Sequence, residues 1–578
     1  MIPITSLELE NFQSIERRTR IEFRPITMLF GPNSAGKSTI FDALELLRIL
    51  FDPIAFDQAV AQDMVLRWAR RKGGANTREM FLAMEFPFKK SDIWNDDSNW
   101  NCSLGRTEEP IFYIDKDDHV DAFNLEGSTV RLEIVIKVIE GKRQHTCGIS
   151  AFRCLLKHEP IVSVTQPIAA FDISDQMESR VDDSEWPRSL LIHNNRFDIL
   201  EHYIFQAAKN LSAESRFTTR VIRHGGYDCL HTLVNSSSLC LFKFVPFRPF
   251  GFDHDPHGVS VRILRLAFDF VFYFGTMGFM DQRDDPALVR ADRVAPKPDD
   301  ALFVVDLGFD GWWSKAPFSA SSAASLLLST IKNGDEHFYG LAKVAFADLL
   351  IKTSRTDFWG GSHAATYIDS VRELANNLDR VNHHLERNLF TEKLYKLSCA
   401  ATLMVPVDLN EDDPWSYYAL AQPAVVRLFL QDGEGSKVEF QDVGSGIPFV
   451  LPVLFVAVLK GIAKVQQPEL HLHPALQSSV ADVVIEELNR APSRLFIIET
   501  HSEHMLLRFL RRVRDFEKGK CLSDELRLTN NDLAIYYFDP QVSGGTVVSR
   551  QLVTPLGDFY TDWPRGFFAE RNQDLFND

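Results

Sequence analysis

Short apolar, β-prone runs and stretches of helical period crowd the two ends of the chain, and the pattern thins through its middle. Ile4 to Asn11, Thr19 to Phe23 and Ile26 to Phe30 read as strands. Apolar residues from Thr39 to Leu47 recur at helical spacing, which predicts a helix to about Leu50. Met80 to Phe86, Val130 to Val138, Cys147 to Leu156 and Pro160 to Val164 are further strand-like runs and predict an antiparallel β layer. Lys90 to Arg106, rich in Asp, Asn and Ser, reads as a loop.

Between Arg188 and Ala400 helical patterns alternate with breaks rich in Gly, Pro and Asp. The clearest helix there carries Ile368, Val371, Leu374, Leu378, Val381, Leu385 and Leu389 on one stripe, a spacing that buries a single face. Ser319 to Ser325 reads as a linker or a helix start. Strand patterning returns at Ala424 to Gln431 and Lys437 to Phe440, a hairpin over Asp432-Gly433-Glu434-Gly435. An apolar helix, Ile447 to Leu459, follows Asp442-Val443-Gly444-Ser445-Gly446. Next comes a short strand ending in Gln466-Gln467-Pro468-Glu469-Leu470-His471-Leu472-His473-Pro474, then a helix from Ala475 to Asn489. A strand from Arg494 to Ile498 ends in Glu499-Thr500-His501-Ser502, and strands at Leu533 to Phe538 and Thr546 to Leu552 complete the pattern.

At 578 residues the chain exceeds one compact core. The pattern divides it into a first lobe over 1–187, a mainly helical insertion over 188–400 and a second lobe over 401–578. Its 45 Phe point to large buried contacts. A net charge of −17 argues against a protein that coats nucleic acid through a broad basic surface, and it leaves room for a local basic groove. Arg508, Arg511, Arg512 and Arg514 are the candidates for one, with a solvated helix face as the plainer reading. Seven scattered cysteines without a C-x-x-C pair read as reduced thiols of a cytoplasmic protein. Leu264 to Met280 is interrupted by Arg265 and Asp269, and Ile447 to Leu459 is too short, so neither reads as a membrane span.

The chemistry is clearest at Gly31-Pro32-Asn33-Ser34-Ala35-Gly36-Lys37-Ser38-Thr39, a glycine-rich loop between a strand and a helix. Gly31 and Gly36 permit a tight turn whose backbone N–H groups face phosphate oxygens, and the following helix dipole favours the negative charge. Asn33, Ser34, Ala35, Gly36, Lys37, Ser38 and Thr39 are therefore the candidate ATP-binding residues. Lys37 would reach the β and γ phosphates, and the Ser38 hydroxyl would meet Mg²⁺.

The order of phosphate loop, long insertion, Gly-Ser-Gly turn, strand ending in Pro-Glu-x-His-x-His-Pro and strand ending in Thr-His-Ser resembles the ATPase heads of the ABC/SMC/RecF class. It looks closest to AAA-like ATPases of the overcoming-lysogenization-defect (OLD) type and their bacterial defence relatives. The tail Asp562-Trp563-Pro564-Arg565-Gly566-Phe567-Phe568, with Gly557-Asp558-Phe559 before it, is similar to a family of bacterial ATPases ending in a Trp-Pro-x-Gly-Phe-Phe segment. The likeness covers roughly residues 1 to 50 and 420 to 578. It implies an α/β P-loop NTPase fold of ABC/SMC-head type, split by the insertion.

The resemblance also implies two heads sandwiching two ATP molecules in a homodimer or higher oligomer. Ser445 and Gly446 of one chain would then contact the γ-phosphate held by Lys37 of the other. His501 corresponds to the switch histidine that senses that phosphate. His471 and His473 would shape the interface rather than bind metal.

One departure stands out. Related heads carry an acid at Gln466 to assist Mg²⁺, and many carry Glu at Gln467 to polarise water; here both are amides. An amide is no base and adds no negative charge to a metal shell, so slow or absent hydrolysis is expected, with Glu469 as the fallback acid. Either the chain is a natural ATP-gated switch, or the acid at Gln466 was replaced so as to trap nucleotide.

OLD-type nucleases follow the head with a metal-dependent toprim domain of about 100 residues, and the stretch after His501 is too short for one. Asp558 and Asp562 read as surface carboxylates. The expected role is an ATPase that dimerises on ATP and controls a separate effector, a nuclease or toxin, in bacterial defence. A RecF-like clamp on duplex DNA is the alternative, and a transporter subunit fits less well because of the insertion and tail.

Overall fold

The computed structural model describes residues 3–51, 58–70, 77–87, 128–140, 145–165, 187–193, 220–224, 227–235, 288–289, 291, 302–303, 379–389, 395–404, 422–438, 442–444, 446–458, 461–542 and 544–561. The chain opens with β1 (Ser6–Glu10), β2 (Thr19–Glu22) and β3 (Ile26–Phe30), then α1 (Thr39–Phe51) and α2 (Gln58–Trp68). Long strands follow: β4 (Thr77–Pro87), β5 (Thr129–Glu140), β6 (His145–Leu156) and β7 (Glu159–Thr165). Beyond them come β8 (Pro187–His193), β9 (Arg220–His224) and β10 (Tyr227–Asn235).

Among the described residues, these strands form a nine-stranded antiparallel sheet in the order β2-β1-β4-β5-β6-β7-β8-β10-β9. The expected antiparallel layer is there, and it runs past residue 187, where the sequence pattern places the start of the insertion. β8 pairs with β7, burying Leu191, and so covers an edge that would otherwise stay open.

The middle of the chain contributes β11 (Leu288–Val289), β12 (Leu302–Phe303), a helical stretch over 379–384 that widens into a π-turn at Leu385–Leu389, and β13 (Lys396–Met404). The described parts of the insertion, expected to be mainly helical, are thus strands and one helical stretch. On that stretch Val381, Leu385 and Leu389 lie buried on one stripe, as their spacing requires. Ile368, Val371, Leu374 and Leu378 lie outside the described residues, as do Ser319 to Ser325, Lys90 to Arg106 and Leu264 to Met280.

The remaining elements are β14 (Gln422–Gln431), β15 (Lys437–Val438), α3 (Gly446–Val458), β16 (Ile462–Gln466), α4 (Pro474–Arg490), β17 (Leu495–Glu499), α5 (Glu503–Glu517), β18 (Leu533–Pro540) and β19 (Thr546–Gln551). The second sheet has the order β11-β16-β17-β3-β18-β19, parallel except for β19. β3 sits inside it between two strands from the far end of the chain, with Ile26 opposite both Phe496 and Leu533.

A sheet covered on both faces needs apolar side chains on both, which is why β3 and β17 are apolar except at Thr27 and Glu499. Alternation then sends Leu495, Ile497, Leu29 and Phe538 toward α1 and the antiparallel layer. Phe496, Ile498, Met28 and Phe30 face α3, α4 and α5. The helix α3 is buried from Ile447 to Val458, with Pro452 inside it. Its lack of a polar face is the mark of a core helix. Among the described residues, no helix is long and apolar enough to cross a membrane.

The helical stretch 379–389 is fastened to α4 through Glu487, which is fully buried. Its carboxylate takes Arg494 Nη1 at 2.5 Å, His384 Nε2 at 2.8 Å and the Arg380 guanidinium. Burial first, then neighbouring cations, pulls the His384 pKa down to about 3, so the imidazole is neutral and donates from Nε2. Removing one partner of such a group strands buried charge. Glu487→Ala is therefore expected to cost about 3–5 kcal/mol in urea denaturation. Arg387→Ala, which removes an exposed pair with Glu525, should stay within about 0.5 kcal/mol.

Candidate functional site

The glycine-rich loop leaves the C-terminal end of β3 and runs directly into α1. Two positions enforce its path. Gly31 has φ +146°, and a Cβ there would lie 2.5 Å from the Phe538 carbonyl oxygen. Gly36 has φ +83°, and a Cβ there would lie 1.9 Å from Ser14 Oγ. The turn between β1 and β2 presses on the loop from outside. Gln13 accepts from Thr39 Oγ1 at 2.8 Å and donates to Asp42 at 2.7 Å. Thr546 Oγ1 of β19 donates to Ala35 O at 2.9 Å. Asn33 and Ser34 stand exposed at the loop crest.

Lys37 is buried, its Nζ donating to Gly31 O at 3.1 Å and Pro32 O at 2.9 Å. The same nitrogen lies 3.8 Å from Glu499 Oε1. Burial lowers the Lys37 pKa, and Glu499 and Glu469 oppose the shift. Ser38 Oγ donates to Glu499 Oε2 at 2.8 Å. Burial raises the pKa of Glu499, against hydrogen bonds from Ser38 and Gln466 and the charge of Lys37. Among the described residues, Glu499 is the carboxylate that meets both chemical groups of the loop, and the sequence reading did not place it in the site. The available signal was its position directly before Thr500-His501-Ser502.

Gln466 and Glu499 are register partners at the ends of β16 and β17. Gln466 Oε1 accepts from Ala291 N at 3.2 Å, so its amide N–H₂ is the group that bonds Glu499. Gln467 has φ 45°, and its N–H donates to Glu499 O at 2.7 Å. Glu469 is engaged structurally, accepting from Thr500 Oγ1 at 2.8 Å and from His501 N at 2.7 Å. Ser502 caps α5 through Met505 N at 3.1 Å. His501 Nε2 is buried and has no hydrogen-bond partner among the described residues. Burial and the charge of Lys37 hold the imidazole below its ordinary pKa, hence neutral.

Gly446 opens α3, and a Cβ there would sit 3.5 Å from His471 O, so this turn packs on the loop after β16. Ser445 lies outside the described residues. The His471 ring packs 4.2 Å from the Phe449 ring, and His473 Nδ1 accepts from Ala475 N at 3.3 Å as the cap of α4. The candidate basic groove on α5 is not a free one. Arg512 makes two bonds of 2.9 Å to Asp482, Arg508 lies 3.4 Å from the same carboxylate, Arg511 3.5 Å from Asp515 and Arg514 2.8 Å from Asp558. Asp558 is thereby an ion-pair partner; Asp562 and the Trp563 to Phe568 segment lie outside the described residues.

The arrangement of central parallel strand, glycine loop and helix is that of a P-loop nucleotide-binding fold. A sequence profile of the AAA domain matches residues 6–53, from β1 through α1. No curated protein matches the chain. Among solved structures it is similar to an Smc head bound to the C-winged helix domain of ScpA, with 11% identity, TM-score 0.34, and 95% of this chain and 97% of that one covered. It is also similar to the SMC head domain from Thermotoga maritima, with 8% identity, TM-score 0.29, and 95% and 99% covered. A third is an Smc head domain with coiled coil and joint derived from Pyrococcus yayanosii, with 12% identity, TM-score 0.32, and 95% and 97% covered.

The loop geometry predicts a contrast between two glycines. Gly31→Ala combines an unfavourable φ with a collision against backbone, which cannot move aside cheaply. We expect it to cost about 3 kcal/mol in urea denaturation. Gly435→Ala, at φ +83° with open space around it, should cost about 1 kcal/mol.

Proposed function

We propose that this chain is an ATP-binding ATPase of the ABC/SMC-head class that turns over slowly, pairs with a second copy around ATP and Mg²⁺, and regulates a separate effector. The observation that carries the reading is His501. A buried ring nitrogen without a partner costs about 1–3 kcal/mol, and the cost is offset when a ligand acceptor or donor arrives. It stands in the field of Lys37, where the terminal phosphate of a nucleotide on the loop would lie.

The residues at hand fit a magnesium nucleotide. The loop N–H groups and Lys37 would take the phosphates, and Ser38 with the carboxylate it bonds would hold the metal, which neutralises phosphate charge. The metal's site is flanked by hard oxygen donors, as Mg²⁺ requires.

Slow turnover follows from Gln467, since an amide cannot take the proton of an attacking water. Glu469 offers little relief, because both its oxygens already hold Thr500 and His501. Pairing of two copies draws its support from the Gly444 to Gly446 turn, which opens α3 beside the His471 segment. A protein whose turnover is slow and whose sensor ring faces the nucleotide suits a switch better than a motor. The defence setting rests on the resemblance of the tail segment. The duplex-DNA reading draws no added support from α5, whose arginines are each paired with a carboxylate.

Three measurements test the reading. Lys37→Ala should weaken ATP binding by about 100-fold in a fluorescent-nucleotide titration. His501→Ala should weaken ATP binding by about fivefold or more and fail to dimerise on ATP by light scattering. Gln467→Glu should raise phosphate release by about tenfold or more. Absence of ATP binding by the parent protein would refute the proposal.

A further inference from the structure

The site described above contains an acid where the strand-end amides predict none. Gln466 ends β16, and its neutral side chain sits opposite the carboxylate of Glu499, its register partner at the end of β17. The amide is fixed from both sides. Its oxygen accepts from Ala291 N and its N–H₂ bonds the carboxylate. Glu499 in turn holds Ser38 Oγ at 2.8 Å and faces Lys37 at 3.8 Å, with its own backbone carbonyl bonded to Gln467 N at 2.7 Å.

Two carboxylates at these adjacent strand ends would repel in a buried setting. One carboxylate and one amide do not, and the amide becomes a donor to the charge beside it. The pair therefore behaves as a single acidic unit whose charge resides on β17 instead of β16. Glu499 is buried at the end of β17, where burial of the ionised form is costly without a cation. Lys37 supplies part of that compensation from 3.8 Å, while its Nζ also donates to Gly31 O and Pro32 O.

We propose that Glu499 is the metal-side carboxylate of this site, holding the Ser38 hydroxyl toward the Mg²⁺ of a bound nucleotide, with Gln466 as its positioning residue. The proposal rests on the ATP-binding reading above. It assigns the missing acid to a neighbouring strand, and the amide at Gln466 becomes the matched partner of that acid.

The test separates the two readings by measuring ATP affinity with Mg²⁺ and with EDTA on the full chain. The parent should gain about tenfold or more from Mg²⁺. Glu499→Gln should still bind metal-free ATP and lose most of the Mg²⁺ gain. The double change Glu499→Gln with Gln466→Glu should restore at least about half of the gain in free-energy terms, a rescue that a merely structural role for Gln466 would not produce. Mn²⁺ in place of Mg²⁺ allows the same comparison by electron paramagnetic resonance, independent of turnover. If Glu499→Gln keeps the full Mg²⁺ gain, the inference fails while ATP binding stands. If the parent binds no ATP, both fall. Should Glu499→Gln not fold, Glu499→Asp keeps the charge and shortens its reach; it should cut the gain by about threefold or more, and an unchanged gain would overturn the assignment.

Discussion

The pairing of β3 with β17 on one side and β18 on the other is the constraint on which the rest of the molecule depends. A strand of five buried residues, four of them apolar, exposes two unsatisfied edges and two greasy faces unless neighbours cover all four. The neighbours come from the opposite end of the chain, so the loop after β3 acquires its shape only when both ends have met. Thr500 N donates to Leu29 O, Thr546 Oγ1 to Ala35 O, and Gly31 lies against the Phe538 carbonyl. The phosphate cradle is thus built jointly by the first fifty residues and the last hundred or so.

Two buried charge clusters divide the labour. Around Glu487, cations, a neutral imidazole and a carboxylate satisfy one another and tie a helical stretch from the middle of the chain to α4. The second cluster surrounds Lys37 and Glu499. Both groups are displaced from their ordinary protonation behaviour by burial, and His501 nearby lacks a partner for Nε2 among the described residues. In a low-dielectric interior the first cluster serves stability, and on the proposed reading the second is poised for a ligand.

Much of this could be read from the residue pattern. The glycine loop, the strands on both sides of the long middle and the all-apolar helix α3 follow from period and turn chemistry, since each is decided by neighbours in the chain. Glu499 could not be found that way. Its role depends on which residue of β17 lies opposite Gln466, and register belongs to the sheet. The pairing of the α5 arginines was hidden for a similar reason, because Asp482 reaches them from α4 and Asp558 from beyond β19. The extension of the antiparallel sheet into 187–235 was hidden because β8 and β9 are short runs interrupted by charged residues.

The segments after β16 and β17 are joined by a closed circuit of hydrogen bonds. Gln467 N binds Glu499 O, the chain continues through Thr500 to His501, and Glu469 grips both Thr500 Oγ1 and His501 N. Glu469 therefore fixes the backbone that presents the imidazole, while Ser502 anchors the far side by capping α5 and donating to Gln477 on α4. A displacement of the His501 backbone toward a ligand loads Glu469, and through Pro468 and Gln467 it loads the peptide of Glu499 as well. On the proposed reading, coupling between phosphate sensing at His501 and the carboxylate beside Ser38 would run through the backbone, along bonds that substitution of the two glutamine side chains leaves in place.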